Sequence, residues 1–573
     1  MKREIRALAE SKYDVAIIGG GIFGACAAWD AALRGLSVAL VEARDFCSGT
    51  SANSYKIVHG GIRYLQHADL ARLRASCCER SALLRVAPHL VQPLPILVPT
   101  YGHGKSGKAI LGAGMLLYDT LTLDRNRGIA DPARRIPRTH FLSRGEVLAQ
   151  FPDLSDEGLT GGTVFHDGQI YNPTRLVLAF LKSAAGAGAN IANYVEAAGL
   201  LRAGDRVIGI EARDTLTGGT FPIQARAVLN AAGPWAERLL KRAANIALDP
   251  PGAYSRDACF VVRRRFPSHY ALALESRTRD PDAILSRRAR HLFLVPWRTY
   301  TLIGVWHVVY DRTPDKVSVG EEELESFIDE INWAYPGLSL SPADVTLCNA
   351  GLVPFGDNEP SATNLRYGKR SHLIDHEQAH GLQDLVTLIG IRYTMARGDA
   401  AQAMDLICRK LGKPVWRPAT EHKPLFGGDI DDFESLVRTS ARNAPSGLAE
   451  TALRALIHNH GTAYDQILRY AEHSPSLLET LDGSTVLKAE LINAVRTEMA
   501  QNLADVVLRR TDLGTGGNPG ERALRDCAGL VAHELGWAAA RTELELHGLK
   551  THFARLGSIQ STSPLAGTQG EPS

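Results

Sequence analysis

Three glycines and an acid near the start of the chain have the spacing of a nucleotide-binding turn. Gly19, Gly21 and Gly24 read G-x-G-x-x-G, and Glu42 follows them. In such a turn the first glycine permits a tight bend and the second lets backbone approach a pyrophosphate. The third lets helix and strand pack closely, the helix N-terminus stabilises phosphate charge, and the acid accepts hydrogen bonds from a ribose. These roles require a strand, a helix and a second strand, and the chain supplies all three. Residues 15–18 are an apolar, β-branched run of buried-strand length, 25–33 are small and apolar at helical spacing, and 37–41 form a second apolar run that ends on Glu42. The pattern predicts dinucleotide binding, with FAD and a nicotinamide both open at this point.

The next stretch, 45–65, reads DFCSGTSANSYKIVHGGIRYL and is dense in Ser, Thr and Gly. A loop of that composition, fed directly from the ribose strand, offers hydroxyls and backbone N–H groups for a second pass along a phosphate chain. Further on, 225–230 is a buried strand running into Ala231-Ala232-Gly233-Pro234-Trp235, a returning strand and glycine turn suited to a second contact with the same ligand.

Composition sets limits on the rest. A chain of 573 residues needs two or three domains, and 45% hydrophobic with 22% charged residues is globular. Lys+Arg 64 against Asp+Glu 62 leaves a net charge of +2, which gives no reason to expect nucleic acid. The basic clusters 263–265 and 287–290 read as solvated faces, with anionic lipid headgroups the minor alternative. The 8 cysteines show no CxxC pair and no metal-ligand spacing, so they read as reduced thiols of a cytoplasmic protein with no metal. The first residues lack an apolar core of signal-peptide length, and the longest apolar stretches, such as 109–118, are too short to span a bilayer.

Helices are expected at 68–87, 109–120, 144–151, 172–186 (with Asn172 as N-cap), 321–335 and 396–411. Strands are expected at 159–165, 193–200, 207–212, 220–223, 225–230 and 384–390. The stretch 88–138, rich in Pro, Gly and Arg, reads as irregular apart from its short helix. Residues 254–310 alternate apolar and polar positions, the pattern of an antiparallel sheet with one wet face. From 430 to about 553 the pattern is helical throughout, and the Ser, Gly and Pro-rich end reads as a tail without fixed structure.

Taken together, IIGGGIFGACAAWDAALRGLSVALVEARD at 17–45, TSANSYKIVHGGIRYL at 50–65, LNAAGPWA at 229–236 and RRTDLG at 509–514 resemble the FAD-dependent, quinone-linked glycerol-3-phosphate dehydrogenase family, within the D-amino-acid-oxidase-like flavoproteins. The resemblance spans nearly the whole chain. It implies an α/β plus α+β fold: a Rossmann-like FAD-binding domain over 1–415, a substrate cap of antiparallel sheet inserted at roughly 88–160 and 240–345, a helical C-terminal domain over 416–556 and a tail at 557–573. It also implies a homodimer peripheral to the cytoplasmic face of the inner membrane. FAD contacts carry over onto Gly19, Gly21, Gly24, Glu42, Ala43, Thr50, Ser51, Gly60, Gly61, Val195, Gly233 and Thr394.

Flavin oxidation of an alcohol needs a base for the hydroxyl proton, and a phosphorylated substrate needs cations, for which the arginine fork is well suited. At this end the chain departs from the family. Cys259 stands where the family has a histidine, Val353 where it has an arginine, and Arg392 where it has a lysine. Lys369 replaces an arginine, Val305-Trp306-His307 replaces T-T-D, and Tyr55 replaces a serine. The anion-binding candidates are therefore Arg392, then Lys369 and Arg397, the last with a buried ion pair as its competing role. The base candidates are His307, then Tyr55 or His59. The implied reaction is oxidation of sn-glycerol 3-phosphate to dihydroxyacetone phosphate with electrons passed to quinone. The alternatives are another hydroxy or amino substrate, or a flavin-binding homologue without turnover.

Overall fold

The computed structural model describes residues 1–66, 68–102, 108–248, 254–265, 268–279, 289–310, 312–354, 371–416, 419–555 and 559–560. Two large sheets organise it. The first has 8 strands, in the order His372–Asp375, Leu385–Ile389, Thr220–Asn230, Lys12–Ile18, Val38–Val41 and Asn190–Ala192, with the hairpin Val195–Ala203/Arg206–Asp214 attached to Thr220–Asn230. Ile17 pairs in parallel with Leu40 on one side and Leu229 on the other. Because successive side chains alternate, Val15 and Ile17 pack toward the helices Ile22–Leu33, Pro173–Gly186 and Ala396–Lys410, while Ala16 and Ile18 pack toward the hairpin and the helix Ala236–Ala244. A strand buried on both faces is the reason its sequence is continuously apolar.

The second sheet has 9 strands, ordered Val345–Pro354, Tyr254–Val262, Tyr300–Tyr310, Ala289–Trp297, Ala271–Arg279, Val91–Tyr101, Leu159–Ile170 and Ile57–Val58, with His140–Ser143 beside Leu159–Ile170. It therefore gathers strands from a wider span of chain than 88–160 and 240–345. One face packs Phe260, Leu272 and Leu294 against Phe327 and Ile331 of the helix Glu321–Ala334. The other packs Val261, Val295 and Leu302 against Leu491, Val507 and Leu524 of the C-terminal helices. The expected wet face is thus covered. Polar positions such as Ser255 and Thr301 are fully buried, and Asp257 and Cys259 face a cavity between the two sheets.

The expected helices form, with N-caps at Asp69, Ser143 and Asn172 whose side chains accept first-turn N–H groups. One element differs outright. Val91–Tyr101, expected to be irregular because of Pro93, Pro95 and Pro99, is a long strand. The three prolines share one parity, and the strand is paired over its length with Leu159–Ile170 but meets Ala271–Arg279 only at Ile96 and Leu97. Missing donors on a sparsely paired edge cost little. In the stretch expected to be a tail, Ile559–Gln560 pairs with Lys316–Val317.

Candidate cofactor and substrate cavity

A cavity of about 820 Å³ runs between the sheets, within the roughly 300–1,000 Å³ typical of ligand sites. One end is the glycine turn. Gly19 has φ +109, and a Cβ there would lie 2.6 Å from the Ala231 carbonyl oxygen, so the bend requires glycine. Gly24 lies behind the wall, where a Cβ would come within 1.9 Å of the Gly19 oxygen, the close helix–strand packing expected of it. Gly21 caps Ile22–Leu33 without a side chain, leaving the positive end of that helix open to the cavity. Ser51 Oγ accepts from Ile22 N at 3.0 Å, and a Cβ on Gly21 would sit 3.1 Å from that oxygen. Glu42 is fixed by Gly20 N on Oε2 at 2.7 Å and Arg44 N on Oε1 at 3.0 Å. Burial pushes its carboxyl up, and those two N–H groups oppose the shift.

Ala43, Thr50, Ser51, Gly233 and Thr394 also line the cavity. Thr50 Oγ1 donates to Leu352 O at 3.1 Å, tying the loop to the edge strand of the cap, and Thr394 Oγ1 accepts from His59 N at 3.2 Å. Besides Gly24, three of the expected contacts are not in the lining. Val195 is fully buried and its N–H bonds Glu42 O at 2.8 Å, so its neighbours Glu196 and Ala197 line the wall instead. Gly60 is buried with its N–H on Asp167 Oδ1 at 2.5 Å, and a Cβ there would strike Arg80 Nη1 at 2.2 Å. Gly61, at φ +78, packs against Tyr64 and Ser76. Both glycines shape the loop from behind.

Tyr55, His59, Asp257, Cys259, Val305, Val353 and Arg392 line the same cavity. The Tyr55 hydroxyl donates to Phe293 O at 2.6 Å, and burial pushes it well above its ordinary value, so it holds its proton and is unsuited as a base. Arg392 donates from Nη1 to Tyr64 OH at 2.6 Å, with its guanidinium 5.0 Å from the Tyr64 ring centre. Burial lowers its pKa, the expected cost of holding a cation in a wall largely closed to water. Arg397 is elsewhere: it bonds Glu79 at 2.8 and 2.5 Å and Thr420 at 3.1 Å, away from the cavity. As a substrate contact Arg397 is therefore corrected to a buried ion-pair partner. Lys369 lies outside the described residues.

His307 does not reach the cavity wall itself. Its Nδ1 lies 2.7 Å from Asp257 Oδ1, and Ser255 Oγ donates to the same oxygen at 2.6 Å. Asp257 lines the cavity and was missed from sequence, as were Tyr64 behind Arg392 and Trp235 under the Arg44 guanidinium at 4.7 Å. The cavity joins a dinucleotide cradle to Arg392 and to the histidine-backed carboxylate of Asp257.

The residues of the cradle fit FAD: an open helix N-terminus for phosphate, a fixed acid for ribose, and a glycine whose added Cβ would fill the space. Comparison with known proteins gives the same cofactor. Residues 14–383 match the family of FAD dependent oxidoreductases, and 418–542 match the C-terminal domain of alpha-glycerophosphate oxidase. A glycerol-3-phosphate dehydrogenase of Synechocystis sp. is 30% identical over 557 residues, covering 95% of this chain and 97% of that one. Aerobic glycerol-3-phosphate dehydrogenase of Staphylococcus haemolyticus is 29% identical, covering 89% of each chain. The structure of a Bacillus halodurans glycerol-3-phosphate dehydrogenase complexed with FAD superposes with a TM-score of 0.75 at 23% identity over 97% of both chains. Similarity at that level over essentially the full length places this chain in the FAD-dependent glycerol-3-phosphate dehydrogenase family.

Proposed function

We propose that the protein oxidises the secondary hydroxyl of sn-glycerol 3-phosphate to the ketone of dihydroxyacetone phosphate, with a quinone as the final electron acceptor. FAD, when bound, supplies the two-electron acceptor for the hydride. The observation that carries the reading is that one cavity joins the glycine cradle at Gly21 and Ser51 to Arg392 and Asp257. Gly19, Gly21, Ser51 and Glu42 hold the cofactor. Arg392, oriented by Tyr64, grips the phosphate through its fork. Asp257, backed by His307 and Ser255, accepts the hydroxyl proton, the role for which His307 is the sequence candidate. Among the described residues no helix is long and apolar enough to cross a membrane. Access to a quinone is therefore read as peripheral contact.

A second reading keeps FAD but changes the substrate to another small hydroxy or amino compound. It is favoured by the uncharged side chains that Cys259, Val305 and Val353 contribute to the cavity wall. Anaerobic addition of glycerol 3-phosphate to the purified protein separates the two. Bleaching of the flavin bands supports the first; bands that stay oxidised with glycerol 3-phosphate but bleach with a different hydroxy acid or amine favour the second. Protein without flavin bands would overturn both.

A further inference from the structure

Asp45 lies just beyond Glu42, where the chain leaves the ribose strand for the loop that lines the cavity. It is fully buried, and its carboxylate accepts from Arg510 Nη1 at 2.8 Å and Nη2 at 2.6 Å, Arg509 Nε at 2.6 Å and Asn193 Nδ2 at 2.9 Å. Burial pushes the carboxyl up, and the two guanidiniums more than reverse that, holding it below the usual carboxylate range. Both arginines belong to the C-terminal domain, on the π-helical turn Val506–Arg510, a conformation that is uncommon and concentrates at functional sites. Arg509 also donates to Asp505 at 2.6 Å, and Arg510 Nε donates to Glu498 O at 3.0 Å, so the pair is anchored on its own side. Neither the arginines nor Asp45 lines the cavity.

What the clamp holds does line it. Next along the chain, Phe46 is fully buried against Gly20 of the glycine turn, where a Cβ would lie 2.7 Å from its ring. Cys47 has φ 61 and donates its N–H to Gly20 O at 3.1 Å. Cys47, Ser48, Gly49, Thr50 and Ser51 then form cavity wall, and Ser51 meets the helix N-terminus. A left-handed residue between a buried ring and a phosphate-facing loop persists only when its surroundings fix it, and the fixed point adjoining it is Asp45.

We propose that Arg509 and Arg510 are positioning residues for the cofactor. Through Asp45 the C-terminal domain holds the phosphate-facing loop in its binding conformation, so the cofactor and the docked domain strengthen each other. This rests on the assignment of FAD to the cavity. The coupling is reciprocal by thermodynamic necessity: if docking tightens FAD binding, FAD tightens docking by the same factor.

The test is the rate of FAD release from the purified holoenzyme, followed by the rise of free-flavin fluorescence on dilution, for the natural chain, Arg510→Met, Arg509→Gln and Asp131→Ala. The last is the control. Asp131 ties the turn Pro132–Arg134 to the C-terminal helix Phe433–Arg442 by accepting from Phe433 N at 3.0 Å, at a point of the junction that bonds neither clamp arginine nor the 45–51 segment. The expected result is FAD release faster by at least tenfold in Arg510→Met and Arg509→Gln, with Asp131→Ala losing thermal stability but releasing FAD at the natural rate. In the same series FAD should slow proteolysis at the junction before the C-terminal domain in the natural chain and not in the clamp variants. Equal release from all three variants, or natural release from the clamp variants, would overturn the proposal, leaving the arginines as a structural brace. If Arg510→Met does not fold, Arg509→Gln decides, because the Arg509 side chain is 13% exposed and its loss leaves Arg510 on Asp45. A natural chain that retains no flavin at all defeats the cofactor assignment, an outcome distinct from any of these.

Discussion

His307 and Asp257 are register partners on two antiparallel cap strands, with Nδ1 2.7 Å from Oδ1, and of the two the aspartate forms the cavity wall. The histidine orients the carboxylate from behind. Asp257→Asn keeps the shape and removes the base, so kcat should fall about 10²–10⁴-fold while the flavin spectrum is retained. His307→Gln, acting through Asp257, should cost less. Steady-state kinetics with the flavin content measured alongside checks both, and an unchanged kcat in Asp257→Asn would make the pair structural.

Arg392 should behave as a binding residue. A hydrogen bond to a charged group contributes about 1.5–3 kcal/mol, so Arg392→Met should raise KM for a phosphorylated substrate roughly tenfold to a hundredfold. Tyr64→Phe removes the 2.6 Å bond that orients the guanidinium but leaves the charge, and its effect should be smaller. A KM that does not move in Arg392→Met would take the phosphate away from this residue.

The contrast between Arg392 and Arg397 marks where sequence reading stops. Arg392 precedes the short turn Tyr393–Met395 and meets the cavity; Arg397 is on the next helix and faces Glu79 of Leu70–Val86. Nothing in their spacing separates the two fates, which depend on what packs opposite. The glycine turn was legible because strand, helix and acid are local in sequence and each glycine has its own steric reason. Val195 is expected to contribute its backbone, and the side chain that its strand presents to the cavity is that of Glu196, because a strand turns alternate side chains to opposite faces. Asp257 was invisible because its meaning comes from His307, a partner set only by sheet register.

Arg397→Met should damage stability and spare substrate binding. It would leave Glu79 buried without its bidentate partner, and breaking a buried pair in this way typically costs about 3–5 kcal/mol. The midpoint of chemical unfolding should fall accordingly with KM unchanged. A raised KM without loss of stability would return Arg397 to the site.

The two cradle glycines should fail differently. In Gly19→Ala the added carbon meets backbone at 2.6 Å with φ +109, so the protein should fold poorly. In Gly21→Ala it meets only the Ser51 hydroxyl at 3.1 Å, so the protein should fold and bind FAD more weakly. Soluble yield and flavin fluorescence titration distinguish them. Full flavin retention in Gly21→Ala would show that the phosphate passes elsewhere.

Acid should loosen the junction between the FAD domain and the C-terminal domain before it touches the Asp45 clamp. His458 is stacked on Tyr171 at 4.2 Å and its Nδ1 lies 2.9 Å from the carbonyl of His89. Burial holds both imidazoles neutral, pushing His458 and His89 down to about 3. In the unfolded chain each titrates near its ordinary value of about 6.5. Between those limits the unfolded state binds protons that the folded state refuses, so stability falls as pH drops through about 6.5. The loss is about 1.4 kcal/mol per pH unit for each histidine and levels off near pH 3. Asp45 has the opposite sign: its lowered carboxyl contributes fully above about pH 4, the ordinary carboxylate value, and is lost only below it. Urea unfolding between about pH 7 and about pH 5 should therefore show a steep loss of stability. His458→Gln should make that slope shallower by one proton, whatever it does to stability at neutral pH. A variant whose slope equals that of the natural chain would mean that His458 is already free to take up its proton in the folded protein.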